Sequence, residues 1–144
     1  MFEGNLKPAS CTFSSGLQID KLVEASKKLS HGNDFVLLLD SGAKTERFLP
    51  ACANAYMRMK ENASRANSMQ MEVLLFISGN MNVSNAIARA GAKNPRNFIA
   101  FASGSALLRR FAKATGSKVV GKHNLKLDMN VSGKVSILPI LNDK

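Results

Sequence analysis

The sequence has no tryptophan, one tyrosine and two cysteines, and none of its apolar runs approaches the roughly 20 residues that span a bilayer. Residues 1–10 also lack the apolar stretch of a secretory signal. We therefore expect a soluble, cytoplasmic protein with no membrane partner. Cys11, Cys52, His31 and His123 show no metal-ligand spacing, so we expect no metal site and no cofactor, and the cysteines are interpreted as small core side chains.

Acidic residues are scarce, and one long interval has none. The chain carries 20 Lys and Arg against 10 Asp and Glu, for a formal net charge of +10, and no acidic residue lies between Glu72 and Asp128. A surface that serves only solubility usually mixes both signs, so this interval is expected to face phosphates or an acidic partner. A basic surface without a partner is the alternative. The cations of the interval are Arg89, Lys93, Arg96, Arg109, Arg110, Lys113, Lys118, Lys122 and Lys126.

Hydrophobic spacing predicts one compact domain over residues 1–144, of class α/β (α+β), with a small mixed sheet packed by several helices. Short apolar runs predict strands at 35–39 and 97–102 and an edge strand at Val119–Val120. The tail Val135–Leu141 is expected to be a short helix or an extended segment. The first predicted helix is Ile19–Leu29, capped by Ser14 or Ser15 and stopped at Gly32, and the second starts at about Leu49 and carries Phe48, Cys52, Ala55, Tyr56 and Met59. A buried helix is predicted at Met71–Ile77, capped by Asn67 and ended by Gly79, with a strand as the alternative for so short a run. The last two predicted helices are Asn82–Ala90, ended by Gly91, and one through Leu107–Phe111, begun near Ser103 or Ser105 and ended at Gly116.

One segment partly matches a phosphate-binding loop. Gly116–Lys122 fits the first seven positions of that motif, but His123 stands where a Ser or Thr must reach magnesium. A helix precedes the segment, whereas the motif follows a buried strand and opens a helix. No G-x-S-x-G is present. We therefore expect no enzyme, and a small phosphate-transferring enzyme is a minor alternative.

The predicted helix after Gly79 has two contrasting sides. Its core side is expected to carry apolar residues, and its other side amides and cations that suit a phosphate or a base edge. An ordinary amphipathic helix explains the same pattern. The polar side comprises Asn82, Asn85, Arg89 and Lys93, and the core side comprises Val83, Ala86, Ile87 and Ala90.

The segment Arg65–Lys93, RANSMQMEVLLFISGNMNVSNAIARAGAK, resembles the signature region of the small kinase-binding accessory subunit of the KEOPS (EKC) complex, in an archaeal member. That signature is a buried helix with a Glu among aliphatic residues, then Ser-Gly, then a helix that ends in Gly. Asn82 and Val83 stand where Gln and Ile are more usual. The similarity is close only over this segment.

The resemblance implies a non-catalytic subunit that binds and stimulates the small atypical kinase of KEOPS. It also implies recruitment of tRNA, held by its unpaired CCA end, for threonylcarbamoyladenosine modification next to the anticodon. The partners are then the kinase, tRNA and, indirectly, other KEOPS subunits, with no small-molecule substrate. A stand-alone ribonucleoprotein-type RNA-binding domain is the main alternative.

The resemblance and the charge pattern together give candidate residues. For the kinase, an apolar patch of Val135, Leu138 and Leu141 in the tail is the candidate contact, with packing on the chain's own domain as the alternative. The RNA candidates are Ser78, Gly79, Asn80 and Asn82 at the pocket, Arg89, Lys93 and Arg96 as phosphate contacts, and, from charge alone, Arg109, Arg110 and Lys113.

Overall fold

A computed structural model describes residues 7–61, 68–123 and 125. The predicted kinase contacts in the tail, Val135, Leu138 and Leu141, lie outside this range. A short 3₁₀ turn, Thr45–Arg47, precedes the second helix. In chain order the elements are β1 (Ala9–Ser14), α1 (Ile19–Lys28), β2 (Val36–Asp40), α2 (Phe48–Lys60), α3 (Met69–Ser78), α4 (Val83–Ala90), β3 (Phe98–Ala102), α5 (Ser105–Thr115) and β4 (Lys118–Lys122).

The four strands form one sheet in the order β2-β3-β1-β4, and every neighbouring pair is antiparallel. The expected α/β class is confirmed, but the expectation of a mixed sheet is wrong. The crossover through α1 leaves β1 and β2 parallel, and β3 lies between them in the opposite direction. This β-α-β-β-α-β connectivity is the split βαβ arrangement of ferredoxin-like domains, with α2, α3 and α4 inserted between β2 and β3.

Helices cover both faces of the sheet. We call the face under α1 and α5 the first face, and its core groups Phe13, Phe98 and Phe111 with ring centroids 5.9–6.2 Å apart. The second face lies under α2 and α3, where Phe48 stacks on Phe101 at 4.8 Å. Strands β2 and β3 are buried on both faces, which explains why they read as unbroken apolar runs in the sequence.

Two predicted helix caps are wrong. Ser14 ends β1, and the Ser15 hydroxyl donates to the Thr115 carbonyl at 3.3 Å, so α1 begins at Ile19 after Gln18. At α3 the cap is Ser68, whose Oγ accepts a hydrogen bond from the Met71 backbone N–H at 3.2 Å, rather than Asn67. At α3 a neighbouring side chain of the same small polar type lies one residue closer to the first helical turn, and sequence spacing does not distinguish such neighbours. At α1 the cap position is Gln18, whose side chain makes no capping hydrogen bond.

The predicted helix ends at Gly79, Gly91 and Gly116 are confirmed, whereas α1 ends at Lys28, before its predicted stop at Gly32. Two of these glycines end their helices for different physical reasons. Gly79 ends α3 with a φ of 73°, a left-handed conformation that L side chains rarely adopt. Gly91 ends α4 with an ordinary φ, but a Cβ there would lie 2.7 Å from the Ile87 carbonyl oxygen. Because the side chain is absent, the chain leaves α4 at once and forms a bridge with Leu39 of β2.

The two edges of the sheet differ. The β2 edge is covered, because the Gln70 side-chain amide donates to the Val36 carbonyl at 2.6 Å and the Ala92 backbone N–H donates to the Leu38 carbonyl at 3.3 Å. β4 forms the other edge, which confirms the predicted edge strand, and its Val119 and Val120 are 50% and 66% exposed.

Candidate nucleic-acid interface

The turn between α3 and α4 is held by its own polar side chains. The Ser78 Oγ accepts from the Asn80 backbone N–H at 3.2 Å and donates to the Leu75 carbonyl at 3.3 Å. The Asn82 Oδ1 caps α4 by accepting from the Asn85 backbone N–H at 3.1 Å. These contacts use part of the hydrogen-bonding capacity that the sequence assigned to RNA. The exposed amide nitrogens of Asn82 and Asn85 are the groups that this turn offers to a base edge.

Arg47 lies at the same junction and was not among the predicted site residues. Its guanidinium Nη1 donates to the Ile77 carbonyl at 3.2 Å, in the last turn of α3, where a cation also complements the helix dipole. Arg47 belongs to the 3₁₀ turn before α2, so only tertiary packing brings it here. Neither its spacing in the sequence nor the KEOPS-like segment contains a signal that would have identified it.

Helix α4 lies at the margin of the domain and buries little. Ala86 is its fully buried residue and packs in the second-face core, while Val83 and Ala90 are partly buried against that core. The prediction that Ile87 is a core residue is wrong, because its side chain is 49% exposed. Helix α4 packs on α3, and Ile87 stays exposed beside the buried Ala86.

Lys93 does not share the helical face of Arg89, contrary to the prediction. Helix α4 ends at Ala90, and Gly91 is extended, so the spacing of eleven residues from Asn82 is not helical. The Lys93 ammonium donates to the Gly91 carbonyl at 3.4 Å, which keeps it close to the helix end. We define the α4 surface as the exposed residues Asn82, Asn85, Arg89 and Lys93.

Arg96 lies at one end of the sheet, in the loop that leads into β3. Pro95 in this loop accepts a hydrogen bond from the Ser15 backbone N–H at 2.8 Å, directly after the end of β1. Lys118, which begins β4, pairs with Ser14 at the same end of β1. Arg96 and Lys118 are therefore exposed cations at the end of the sheet, between the two helical layers.

The remaining RNA candidates, Arg109, Arg110 and Lys113, are exposed on α5. Helix α5 covers the first face, whereas α3 and α4 belong to the layer on the second face. The structure thus brings Ser78, Asn80 and the α4 surface together and places the α5 cations on the opposite side of the sheet. The predicted residues form two separate groups rather than a single patch.

A polar strip occupies the part of the second face formed by β1 and β4. The His123 ring contacts two hydroxyls of β1, with its Nδ1 2.8 Å from the Ser10 Oγ and its Nε2 3.0 Å from the Thr12 Oγ1. Partial burial lowers the pKa of His123, so the neutral ring is favoured. Both nitrogens are used and Ser10 is 3% exposed, so the imidazole joins β4 to β1 without presenting the Ser10 hydroxyl to a substrate.

The alternative of a ribonucleoprotein-type domain can be compared with this sheet directly. Such domains stack bases on exposed aromatic rings of a four-stranded sheet, on the face opposite their two helices. Here Phe101 and Ile99 occupy that face, and both are buried beneath the inserted helices. The residues of β1 on the same face are Ser10, Thr12 and Ser14, which offer no ring for stacking.

The segment Gly116–Lys122 ends α5 and forms β4. A helix precedes it and Lys118–Lys122 is a strand, whereas a phosphate-binding loop follows a buried strand and opens a helix. The two cysteines pack on opposite faces of the sheet, Cys52 fully buried and Cys11 partly buried. Burial raises the pKa of Cys52 to about 12 and also raises the pKa of Cys11, which Lys122 partly offsets. Within 7–61, 68–123 and 125, no cluster of three metal-ligating side chains occurs.

Across the part of the chain that the structure describes, none of the helices is both long enough and apolar enough to cross a bilayer. The comparisons with known proteins add no assignment. A scan against protein-family models and a search of curated proteins each found no match to this chain.

Proposed function

We propose that the chain is a non-catalytic, cytoplasmic subunit of a KEOPS-type complex. In this role it binds and stimulates the small atypical kinase of the complex and recruits tRNA, by its unpaired CCA end, for threonylcarbamoyladenosine modification next to the anticodon. The observation that carries the proposal is the KEOPS-like segment Arg65–Lys93. The described part of that segment forms one buried helix, α3, followed by one marginal helix, α4.

The α4 surface has the chemistry that an unpaired RNA end requires. Single-stranded nucleotides expose base edges, which amides recognise, and phosphates, which cations neutralise. Asn82 and Asn85 supply exposed amides at the start of α4, and Arg89 follows on the same side of the helix. Lys93 adds a cation just after the end of α4, and Arg47 adds one at the last turn of α3. This arrangement supports RNA binding at the junction of α3 and α4.

The sharpest test reverses two charges of the α4 surface. We expect Arg89→Glu with Lys93→Glu to weaken tRNA binding strongly and to reduce the slope of log affinity against log salt by roughly one to two, because each phosphate contact contributes slightly less than one. The matched control is Lys21→Glu with Lys28→Glu on the exposed side of α1, which changes the net charge equally. Binding is measured with a CCA-ended tRNA and with the same tRNA lacking CCA.

Three results support the proposal: wild-type preference for the CCA-ended tRNA, loss of that preference in the α4 variant, and its retention in the α1 control. If the α4 variant binds tRNA as tightly as wild type, α4 is not part of the RNA site. Co-purification from the source cell, with identification of the proteins and RNA that accompany the chain, tests the kinase half of the proposal. A chain that captures neither a kinase nor tRNA contradicts the whole.

A further inference from the structure

The outer side of α5 is uniformly basic. Arg109, Arg110 and Lys113 are exposed there, and the helix contains no acidic residue. Its inner side is anchored by Leu108 and Phe111 in the first-face core. The three cations therefore project from a helix that the core holds in place.

Strand β4 extends this surface beyond α5. Lys122 pairs with Cys11, whose side chain packs on the first-face core, and directly paired residues point to the same face of a sheet. The positive charge of Lys122 also acts on the Cys11 thiol, which agrees with that placement. We define the basic face as Arg109, Arg110 and Lys113 of α5 together with Lys122 of β4.

The neighbouring helix in the same layer shows that this charge pattern is local. The exposed side of α1 mixes acids with its lysines, at Asp20 and Glu24. Among the residues that the structure describes, the ion pair found joins Arg58 and Glu72, on the second-face layer, and includes no member of the basic face. Among the described residues, no acidic side chain forms an ion pair with these four cations, and such a group of cations suits an anionic partner.

The described residues of the basic face offer positive charge but no side-chain amide, because α5 and β4 contain neither Asn nor Gln. The α4 surface, by contrast, adds the amides of Asn82 and Asn85 to its cations. Such amides recognise base edges, so the basic face has groups for phosphates and none of the amides that unpaired bases would use. Paired RNA presents mainly phosphates and sugars, and proteins recognise it largely by shape and charge.

We propose that the basic face binds the phosphate backbone of a paired RNA stem, at a site separate from the α4 surface. The inference rests on the proposed function for the identity of the RNA, and it adds a second contact surface and a second structural class of RNA. The two surfaces lie on opposite sides of the sheet, and the exposed cations Arg96 and Lys118 lie at the sheet end between them. In this arrangement the stem lies on the basic face, its unpaired end lies on the α4 surface, and the RNA strand that connects them passes the sheet end at Arg96 and Lys118.

The experiment uses the full chain and two RNA probes: a blunt duplex of about 20 base pairs and an unpaired oligonucleotide ending in CCA. Arg109→Gln, Arg110→Gln and Lys113→Gln are combined in one variant. The matched control combines Lys21→Gln, Lys27→Gln and Lys28→Gln on α1, which removes the same number of charges from the same layer. Circular dichroism and thermal unfolding confirm that both variants are folded.

We expect the α5 variant to bind the duplex roughly tenfold or more weakly than wild type at about 50 mM salt, with a salt slope lower by about two to three. Its binding of the unpaired oligonucleotide stays close to wild type, and the α1 control binds both probes normally. Equal loss in the α5 variant and the control overturns the proposal, because net charge alone then explains the binding.

Two further outcomes separate this proposal from the proposed function. A wild-type chain that binds the CCA-ended oligonucleotide but not the duplex overturns the stem site and leaves the proposed function in place. Duplex binding without selective binding of the unpaired end supports the basic face and contradicts the proposed CCA contact. A chain that binds neither RNA overturns both the stem site and the proposed CCA contact. An acidic protein is then the partner that fits the basic face.

Discussion

Helices α4 and α5 are both short, amphipathic and basic on their outer sides, yet the fold holds them very differently. Helix α5 packs against α1 and three strands, and it buries Leu108, Phe111 and Thr115. Helix α4 packs mainly on α3, and Ala86 is its fully buried residue. Similar hydrophobic patterns in the sequence thus correspond to one helix inside the main core and one at its margin.

This difference in anchoring suits two different RNA classes. Regions with few buried apolar contacts open locally at low free-energy cost, whereas core helices open only with the whole domain. A surface that can adjust in this way is what binding of irregular, unpaired nucleotides, as we propose for α4, requires. The backbone of α5 is held by the core, which agrees with our proposal that its cations contact the regular backbone of a duplex. The three predictions below test the anchoring itself, independently of RNA.

The largest expected effect comes from the aromatic anchor of α5. Phe111 is fully buried, with ring centroids 5.9 Å from Phe13 and 6.2 Å from Phe98. We expect Phe111→Ala to lower the free energy of unfolding by about 3–5 kcal/mol, since it removes a large side chain and leaves a cavity. Denaturant unfolding followed by circular dichroism measures the change.

The control for this prediction is Ile87→Ala on α4. Ile87 is 49% exposed, so its truncation removes little buried surface and is expected to cost less than about 1 kcal/mol. Equal costs for the two variants would show that α4 and α5 are anchored alike and would end the comparison.

A smaller effect is expected where α4 meets the sheet. A Cβ at residue 91 would lie 2.7 Å from the Ile87 carbonyl oxygen, so Gly91→Ala forces the end of α4 away from its bridge with Leu39. We expect the free energy of unfolding to fall by about 1–3 kcal/mol, which is typical of overpacking. The loss should not exceed the free energy of opening α4 alone. Hydrogen exchange should show faster exchange in α4 and unchanged protection in α5.

Gly121→Ala in β4 is the matched control, because no heavy atom lies within 4 Å of the Cβ position there. It should be neutral or stabilising by about 0.5 kcal/mol, since alanine loses less backbone entropy than glycine in a strand. If Gly91→Ala instead leaves hydrogen exchange in α4 unchanged and costs no more stability than Gly121→Ala, the close approach at residue 91 has no energetic role.

The elements that the sequence predicts well are those whose burial is uniform. Strands β2 and β3 and helix α3 are apolar on nearly all sides, and residues such as Gly79 and Gly116 mark helix ends through a positive φ. Strand β1 was not predicted, although it lies inside the sheet. The β1 residues on the first face of the sheet are apolar, but those on the second face include Ser10 and Thr12, which contact His123. The alternation of polar and apolar residues over Ala9–Ser14 is the sequence pattern from which β1 could be predicted.

The candidate site was predictable only in part. The KEOPS-like segment predicts Asn82 and Arg89 as RNA contacts, and the structure places both on α4, which leaves their role a prediction. Arg47 was missed because a contact across thirty residues with Ile77 has no periodic signature. The α5 cations were grouped with α4 because both belong to one acid-free interval, and sequence distance carries no information about which face of a sheet a helix covers.

The smallest expected effect concerns the strand that continues from α5. The His123 side chain joins the end of β4, and with it Lys122, to two hydroxyls of β1, whereas the end of α4 meets the sheet through the backbone bridge between Gly91 and Leu39. Burial lowers the pKa of His123 below its ordinary value of 6.5, so the folded chain favours the neutral ring. The unfolded chain then takes up a proton first as the pH falls below about 6.5, and stability declines toward the lowered pKa of the folded state.

We therefore expect His123→Gln to flatten the loss of stability between about pH 7 and pH 5, because an amide keeps one donor and one acceptor and does not titrate. The control is His31→Gln in an exposed turn, which should retain the wild-type decline. Thermal unfolding across that range measures both. A decline that persists fully in His123→Gln would show that the tie to Ser10 and Thr12 does not depend on the neutral ring. In that case β4 is held by its backbone pairing with β1, and the anchoring of the basic face rests on α5 alone.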